Sequence, residues 1–86
     1  MNAPYTPGNE VTWLTPTYDG ITVQSATVVT VIHTGPDLWS VSTTLGTTYA
    51  NADGEGPQIA PLTEEISAQL NKSGGRFIVH PTNREV

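Results

Sequence analysis

Apolar and polar residues alternate along most of this chain with the period of two that indicates half-buried β-strands. The pattern predicts strands over residues 10–14, 21–34, 38–44, 47–50, 58–60 and 76–80. Reversals between the early strands are marked by Asp19-Gly20, Gly35-Pro36-Asp37 and Gly46. We therefore expect a mainly β fold of about five or six strands.

The second predicted strand changes the phase of its alternation. Its apolar residues stand at odd positions at first, Ile21 and Val23, and at even positions later, Ala26, Val28 and Ile32. A slip of one residue near Gln24–Ser25 would produce this change, since one extra residue moves every later side chain to the other face. We therefore expect a bulge or bend at that point.

One stretch of the chain has a helical period instead. Its apolar residues recur four positions apart, at Leu62, Ile66 and Leu70. Thr63 is suited to cap the first turn, and the acidic pair Glu64-Glu65 complements the positive end of a helix. Ser73-Gly74-Gly75 then stops the pattern. The sequence predicts one short helix over about residues 63–71.

The length of 86 residues allows one small domain. We expect an extended N-terminal segment over residues 1–8, a single β-barrel domain over 9–80 and a C-terminal tail over 81–86. The first segment contains two prolines, so it should be poorly ordered unless Tyr5 packs onto the domain.

The charge balance argues against several classes of partner. Eight acidic and three basic residues give a formal net charge of −5, whereas phosphate binding calls for a basic face. The basic residues all fall near the C-terminus, at Lys72, Arg76 and Arg84. Weak nucleic-acid binding through that region stays an alternative. No apolar run approaches the ~20 residues of a membrane span and the N-terminus lacks a signal-peptide pattern, so we expect no membrane association and a cytoplasmic location.

Catalytic and metal-binding patterns are not evident in the sequence. Without cysteine there is no thiol nucleophile or thiolate ligand, and no serine stands in a nucleophile elbow. His33 and His80 lack an obvious third ligand. Asn51, Asp53 and Glu55 resemble the start of a calcium loop, but Leu62 stands where that loop needs a glutamate. We expect a protein that is not an enzyme, with no catalytic residues, cofactor or metal.

Several segments together resemble the small SH3-like barrels, above all their Tudor- and KOW-type members. These segments are Pro7-Gly8-Asn9-Glu10-Val11-Thr12-Trp13, the Asp19-Gly20 loop, Ala26-Thr-Val-Val29-Thr-Val31, Trp39-Ser-Val41 and Ile59-Ala60-Pro61-Leu62. The resemblance covers about residues 7–62 and implies a five-strand barrel, to which the helix and the last strand are an addition unless that strand closes the barrel. The small size and Ala-, Val-, Thr- and Gly-rich composition also resemble orphan proteins of actinobacteria and their phages, which places a phage-encoded protein in the host cytoplasm.

The aromatic residues divide into core and surface candidates. Trp13 and Trp39 are flanked by alternating valines, which favours the core. Tudor-like barrels hold methylated side chains in cages of aromatic residues from adjacent loops, which makes Tyr18 and Tyr49 candidates for contact with a partner. The acidic loop residues beside them complete the candidate set: Tyr18, Asp19, Tyr49, Asp53 and Glu55.

The sequence therefore favours a protein-interaction module, a phage or bacterial accessory protein that binds a cellular protein with a basic surface. Two alternatives come from other classes. One is a structural protein that self-assembles through the strand at 76–80, where Phe77, Ile78 and Val79 follow one another. The other is the weak nucleic-acid binding named above.

Overall fold

The computed structural model describes residues 2–80, so the predicted tail 81–86 and Arg84 lie outside the described residues. It is mainly β, as predicted, with six antiparallel strands and one short helix. The elements in chain order are β1 (Glu10–Pro16), β2 (Ile21–Gly35), β3 (Leu38–Thr43), β4 (Gly46–Ala50), β5 (Ile59–Pro61), α1 (Glu64–Ser73) and β6 (Arg76–Val79). Each predicted strand is present, with ends that differ by one or two residues.

The long strand β2 organises the sheet, because three other strands pair with it. Its first half pairs with β1 on one side and β6 on the other, and its second half pairs with β3. The hydrogen-bonded order is β4-β3-β2-β1-β5, with β6 beside β2 off this path. β5 thus pairs with β1, and the last strand of the chain pairs with β2.

The predicted slip near Gln24–Ser25 is wrong. β1 and β2 pair without interruption from Pro16↔Ile21 to Glu10↔Thr27. The register shifts of β2 lie further along, between Val28 and Thr30 and between His33 and Gly35, in its ladder with β3.

The change of apolar phase in β2 has another cause, which is that both faces of the strand are covered. Ala26 and Val28 lie in the main core, whereas Val23 is buried outside that cluster and, by alternation, faces the other side. Helix α1 packs against β2 and β6, and its Leu70 is also buried outside the main core. The helix therefore provides the cover for a second, smaller apolar layer.

The main core gathers residues from the N-terminal segment and every strand from β1 to β5. Its members are Tyr5, Val11, Trp13, Ala26, Val28, Trp39, Val41, Ala50 and Ile59. Trp13 and Trp39 are 6% and 2% exposed, which confirms their assignment to the core. These two indoles are the largest side chains in a small core, so much of its buried apolar area comes from them.

Tyr5 ties the N-terminal segment to the domain. Its ring lies in the core, and its hydroxyl donates a 2.5 Å hydrogen bond to the carbonyl of Gly54. Further along, the Gly8 N–H donates to the carbonyl of Val28. The packing of Tyr5, on which the order of this segment was expected to depend, is therefore present.

Helix α1 begins and ends with the predicted signals. The hydroxyl of Thr63 accepts a hydrogen bond from the Ile66 N–H at 3.2 Å, and Glu64 and Glu65 lie in the first turn. At the other end Gly74 adopts φ 82°, a left-handed conformation that glycine takes without the penalty a Cβ imposes. Both ends of the helix are therefore set by local sequence.

Candidate functional site

Tyr18 stands at the tip of the turn between β1 and β2, with its side chain fully exposed. The turn is held from within, because the N–H of Thr17 donates to the carbonyl of Gly20 at 2.7 Å. The Thr17 hydroxyl adds a hydrogen bond to the same carbonyl and accepts one from the Gly20 N–H. The turn thus presents Tyr18 on a backbone that is already ordered.

The same turn is also held from outside by the end of β6. The Nδ1 atom of His80 lies 3.0 Å from the carbonyl oxygen of Asp19, within hydrogen-bond distance. The backbone of Gly20 lies so close to the carbonyl of Val79 that a Cβ could not fit between them. The main-chain carbonyl of Asp19 is therefore directed to β6, whereas the ring of the preceding residue, Tyr18, is exposed.

The loop between β4 and β5 carries the exposed carboxylates Asp53 and Glu55. The side-chain oxygen of Asn51 accepts hydrogen bonds from the N–H groups of both residues, at 2.9 and 3.1 Å. This oxygen, considered from the sequence as a calcium ligand, therefore stabilises the loop itself. The carboxylate of Asp37 accepts a further bond from the Ala52 N–H at 2.8 Å, which fastens the loop to the β2–β3 turn.

Beneath this loop Tyr5 has an altered acidity. Burial in the core, and to a lesser degree the negative charge of Glu55, raises the pKa of the Tyr5 phenol to about 12. The phenol therefore stays protonated through neutral and moderately alkaline pH, and it keeps its hydrogen bond to Gly54.

Tyr49 belongs to a different surface from Tyr18. It lies on β4 and is 51% exposed, on the face of the sheet opposite the core. Directly across β3 and β2 from it stand Ser40 and then Ile32, and the next row is Thr47, Ser42 and Thr30. These two rows contain no charged side chain, so Tyr49 and Ile32 form an uncharged exposed face.

The predicted site residues therefore fall into three places. Tyr18 and Asp19 lie on the β1–β2 turn, Asp53 and Glu55 on the β4–β5 loop, and Tyr49 on the outer face of β4. The turn is bonded to β6, whereas the loop is bonded to Tyr5 and Asp37. No described hydrogen bond joins the two groups. The sequence also missed Ile32 as a neighbour of Tyr49, because their adjacency depends on the register of three strands.

The remaining chemical groups are dispersed. The ring of His33 stacks on Trp39 with centroids 4.6 Å apart, and His80 lies at the β1–β2 turn. Among residues 2–80 no three histidine or carboxylate side chains cluster as metal ligands would, and no pocket is present. Lys72 and Arg76, at the end of α1 and the start of β6, are both exposed.

No protein family, curated protein or solved structure was found to match this chain. Helix α1, the one helix within residues 2–80, is too short and polar to cross a membrane.

Proposed function

We propose that the chain forms an SH3-like barrel and acts as a non-enzymatic module that binds another protein. The barrel is supported by the strand order β4-β3-β2-β1-β5, in which the first half of β2 pairs with β1 and its second half pairs with β3. Core residues come from all five of these strands, as expected when a bent sheet folds around its own side chains. The α1–β6 unit is then an addition that covers the outside of the barrel.

The observation that carries the binding role is the exposure of Tyr18 on a turn fixed from both sides. An ordered backbone lowers the entropy that is lost when a partner is bound. Tyrosine is among the residues most often found as anchors in protein interfaces, since its ring offers a large area with few rotamers to fix. Full exposure leaves the whole ring of Tyr18 free for such contact.

The charge of the chain supports a basic partner. Asp19 stands beside Tyr18, and the formal net charge is −5. Such a surface accelerates the approach of a positively charged patch and disfavours acidic partners. Asp53, Glu55 and Tyr49, on the β4–β5 loop and the outer face of β4, supply secondary contacts in this proposal.

The experiment compares four immobilised baits in a lysate of an actinobacterium: the unaltered chain, Tyr18→Ala, Asp53→Ala and the control Leu45→Ala. Leu45 is 44% exposed in the β3–β4 turn and belongs to none of the candidate sites. Half of each sample is treated with nuclease, because retention through nucleic acid would then disappear. Captured protein supports the proposal only where it is lost from the Tyr18→Ala bait and kept by the Leu45→Ala bait.

The affinity of the purified partner then gives the decisive value. Tyr18→Ala is expected to weaken binding by more than about 1 kcal/mol, or roughly fivefold, whereas Leu45→Ala changes it by less than about 0.5 kcal/mol. If Tyr18→Ala and Asp53→Ala both stay within about 0.5 kcal/mol of the unaltered chain, the binding surface lies elsewhere.

A further inference from the structure

The strand β6 lies at an edge of the sheet. It pairs with the first half of β2, from Val79↔Ile21 to Arg76↔Gln24, and with no other strand among residues 2–80. Two of its side chains are well exposed, Ile78 at 47% and Val79 at 45%. An edge of this kind, with unpaired backbone groups and apolar side chains, is a template for another strand.

The ladder between β1 and β2 determines which backbone groups of β6 face this edge. Thr17 bonds to Gly20, and the Val28 N–H bonds to the carbonyl of Asn9, so the even-numbered residues of β2 direct their groups toward β1. By the alternation of antiparallel ladders, Ile21 and Val23 direct theirs toward β6. The backbone N–H and carbonyl groups of their partners, Val79 and Phe77, therefore point to β2.

The groups left over on β6 belong to alternate residues. Since Phe77 and Val79 are bonded to β2, the N–H and carbonyl groups of Arg76, Ile78 and His80 point away from it. We propose that these groups pair with β6 of a second copy of this chain, antiparallel, with the two-fold axis passing through Ile78. In this register Ile78 lies opposite Ile78 of the second copy, and Arg76 lies opposite its His80.

The side chains suit this register. The exposed Ile78 side chains meet on one face of the joined sheet, at the axis. On the other face Val79 stands opposite Phe77 of the second copy in a non-hydrogen-bonded pair, where side chains approach most closely. A strand with only one buried face would leave at least one of three consecutive apolar side chains exposed. In this dimer Phe77, Ile78 and Val79 all contact the second copy.

Charge favours a second copy at this edge. Of the two basic residues among residues 2–80, Lys72 lies in the last turn of α1 and Arg76 is the first residue of β6, whereas His80 at the end of β6 is bonded to the carbonyl of Asp19. Antiparallel pairing therefore brings each Arg76 toward the Asp19 carboxylate of the other copy. Opposite charges then meet twice across the two-fold axis.

The first test measures the unaltered chain at micromolar and millimolar concentrations. Because β6 is short, the interface is smaller than that of a stable dimer and the association should be weak. Sedimentation should show the mean mass rising toward that of a dimer. Hydrogen exchange should show new protection at the amides of Arg76, Ile78 and His80, whereas those of Phe77 and Val79 are protected at both concentrations.

Variants separate this edge from other modes of association. Ile78→Lys should raise the dissociation constant at least tenfold, whereas the control Ile32→Lys, on the exposed outer face of β2, should leave it within twofold. Arg76→Glu should also weaken association, and the double variant Arg76→Glu with Asp19→Arg should restore it. If circular dichroism shows that Ile78→Lys does not fold, the test rests on Arg76→Glu and on the double variant with Asp19→Arg.

Two results would overturn the proposal. One is a monomer throughout the concentration range, which would show that the charge of Arg76 protects the edge. The other is association that persists unchanged in Ile78→Lys or that adds no protection at the amides of Arg76, Ile78 and His80.

Discussion

The hydrogen bond between Tyr5 and Gly54 joins residues 49 positions apart, and Tyr5→Phe removes it with little change in ring volume. The donor and acceptor are buried, so the variant leaves the carbonyl of Gly54 without this partner. A buried acceptor that loses its partner costs about 1–3 kcal/mol. We expect Tyr5→Phe to lower the free energy of unfolding at neutral pH by about 1–2 kcal/mol.

The same residue makes stability depend on alkaline pH. The pKa of the Tyr5 phenol is 10.0 in an unfolded chain and about 12 in the folded one. Because the folded value is the higher, the unfolded state loses its proton first, and stability present below pH 10.0 is lost as the pH rises toward about 12. Each pKa unit corresponds to about 1.4 kcal/mol, and screening of the exposed Glu55 reduces the total to about 2 kcal/mol.

Urea unfolding, followed by the fluorescence of the two buried tryptophans, measures both effects between pH 7 and pH 11. The unaltered chain should be more stable than Tyr5→Phe at neutral pH, and its advantage should shrink by about 1 kcal/mol by pH 11, midway between the two pKa values. Tyr18→Phe is the matched control, because the same hydroxyl is removed from a fully exposed side chain. An advantage of the unaltered chain over the Tyr5→Phe variant that stays constant across this range would refute the assignment of the raised pKa to burial of the phenol.

Three further predictions concern the core and the helix, each measured by urea unfolding. Gly56→Ala should destabilise the fold by about 1–3 kcal/mol, because the new Cβ would collide with the carbonyl of Tyr49. Gly35→Ala, whose Cβ would lie 3.4 Å from Leu38, is the control and should cost less than about 1 kcal/mol; equal losses would contradict the close approach. Thr63→Ala should cost about 1 kcal/mol through loss of the helix cap, and Thr63→Ser should retain most of it; a Ser variant no better than Ala would deny the cap. Leu70→Ala and Val23→Ala should together cost less than the sum of their separate effects, with a coupling of at least about 0.5 kcal/mol, since α1 and β2 share one apolar layer. Leu70→Ala with Val41→Ala should be additive, and strict additivity of both pairs would place Val23 and Leu70 in separate environments.

Local signals in the sequence were enough for most of the secondary structure. Alternation located the strands, and Thr63 and Gly74 located the helix ends, because these features act within a few residues. The burial of Trp13 and Trp39 followed from their neighbours in the same strands.

The features that the sequence did not predict depend on contacts between distant segments. Alternation marks Val23 as buried, but it does not say whether the core or the helix covers it, and so the change of phase was mistaken for a bulge. The pairing of β6 with β2 and the row formed by Tyr49, Ser40 and Ile32 depend on register between strands, which no single segment contains.

The span of the main core has a consequence for how the chain folds as it is made. Tyr5 and Ile59 belong to the same hydrophobic core cluster. One edge of β1 stays unpaired until β5 has been synthesised and pairs with it. A chain emerging from the ribosome therefore exposes Val11, Trp13 and Trp39 until Ile59 has been synthesised. Contacts between such distant segments form late and slowly. The core is therefore complete only after β5 has been synthesised, and the early strands need protection from aggregation until then.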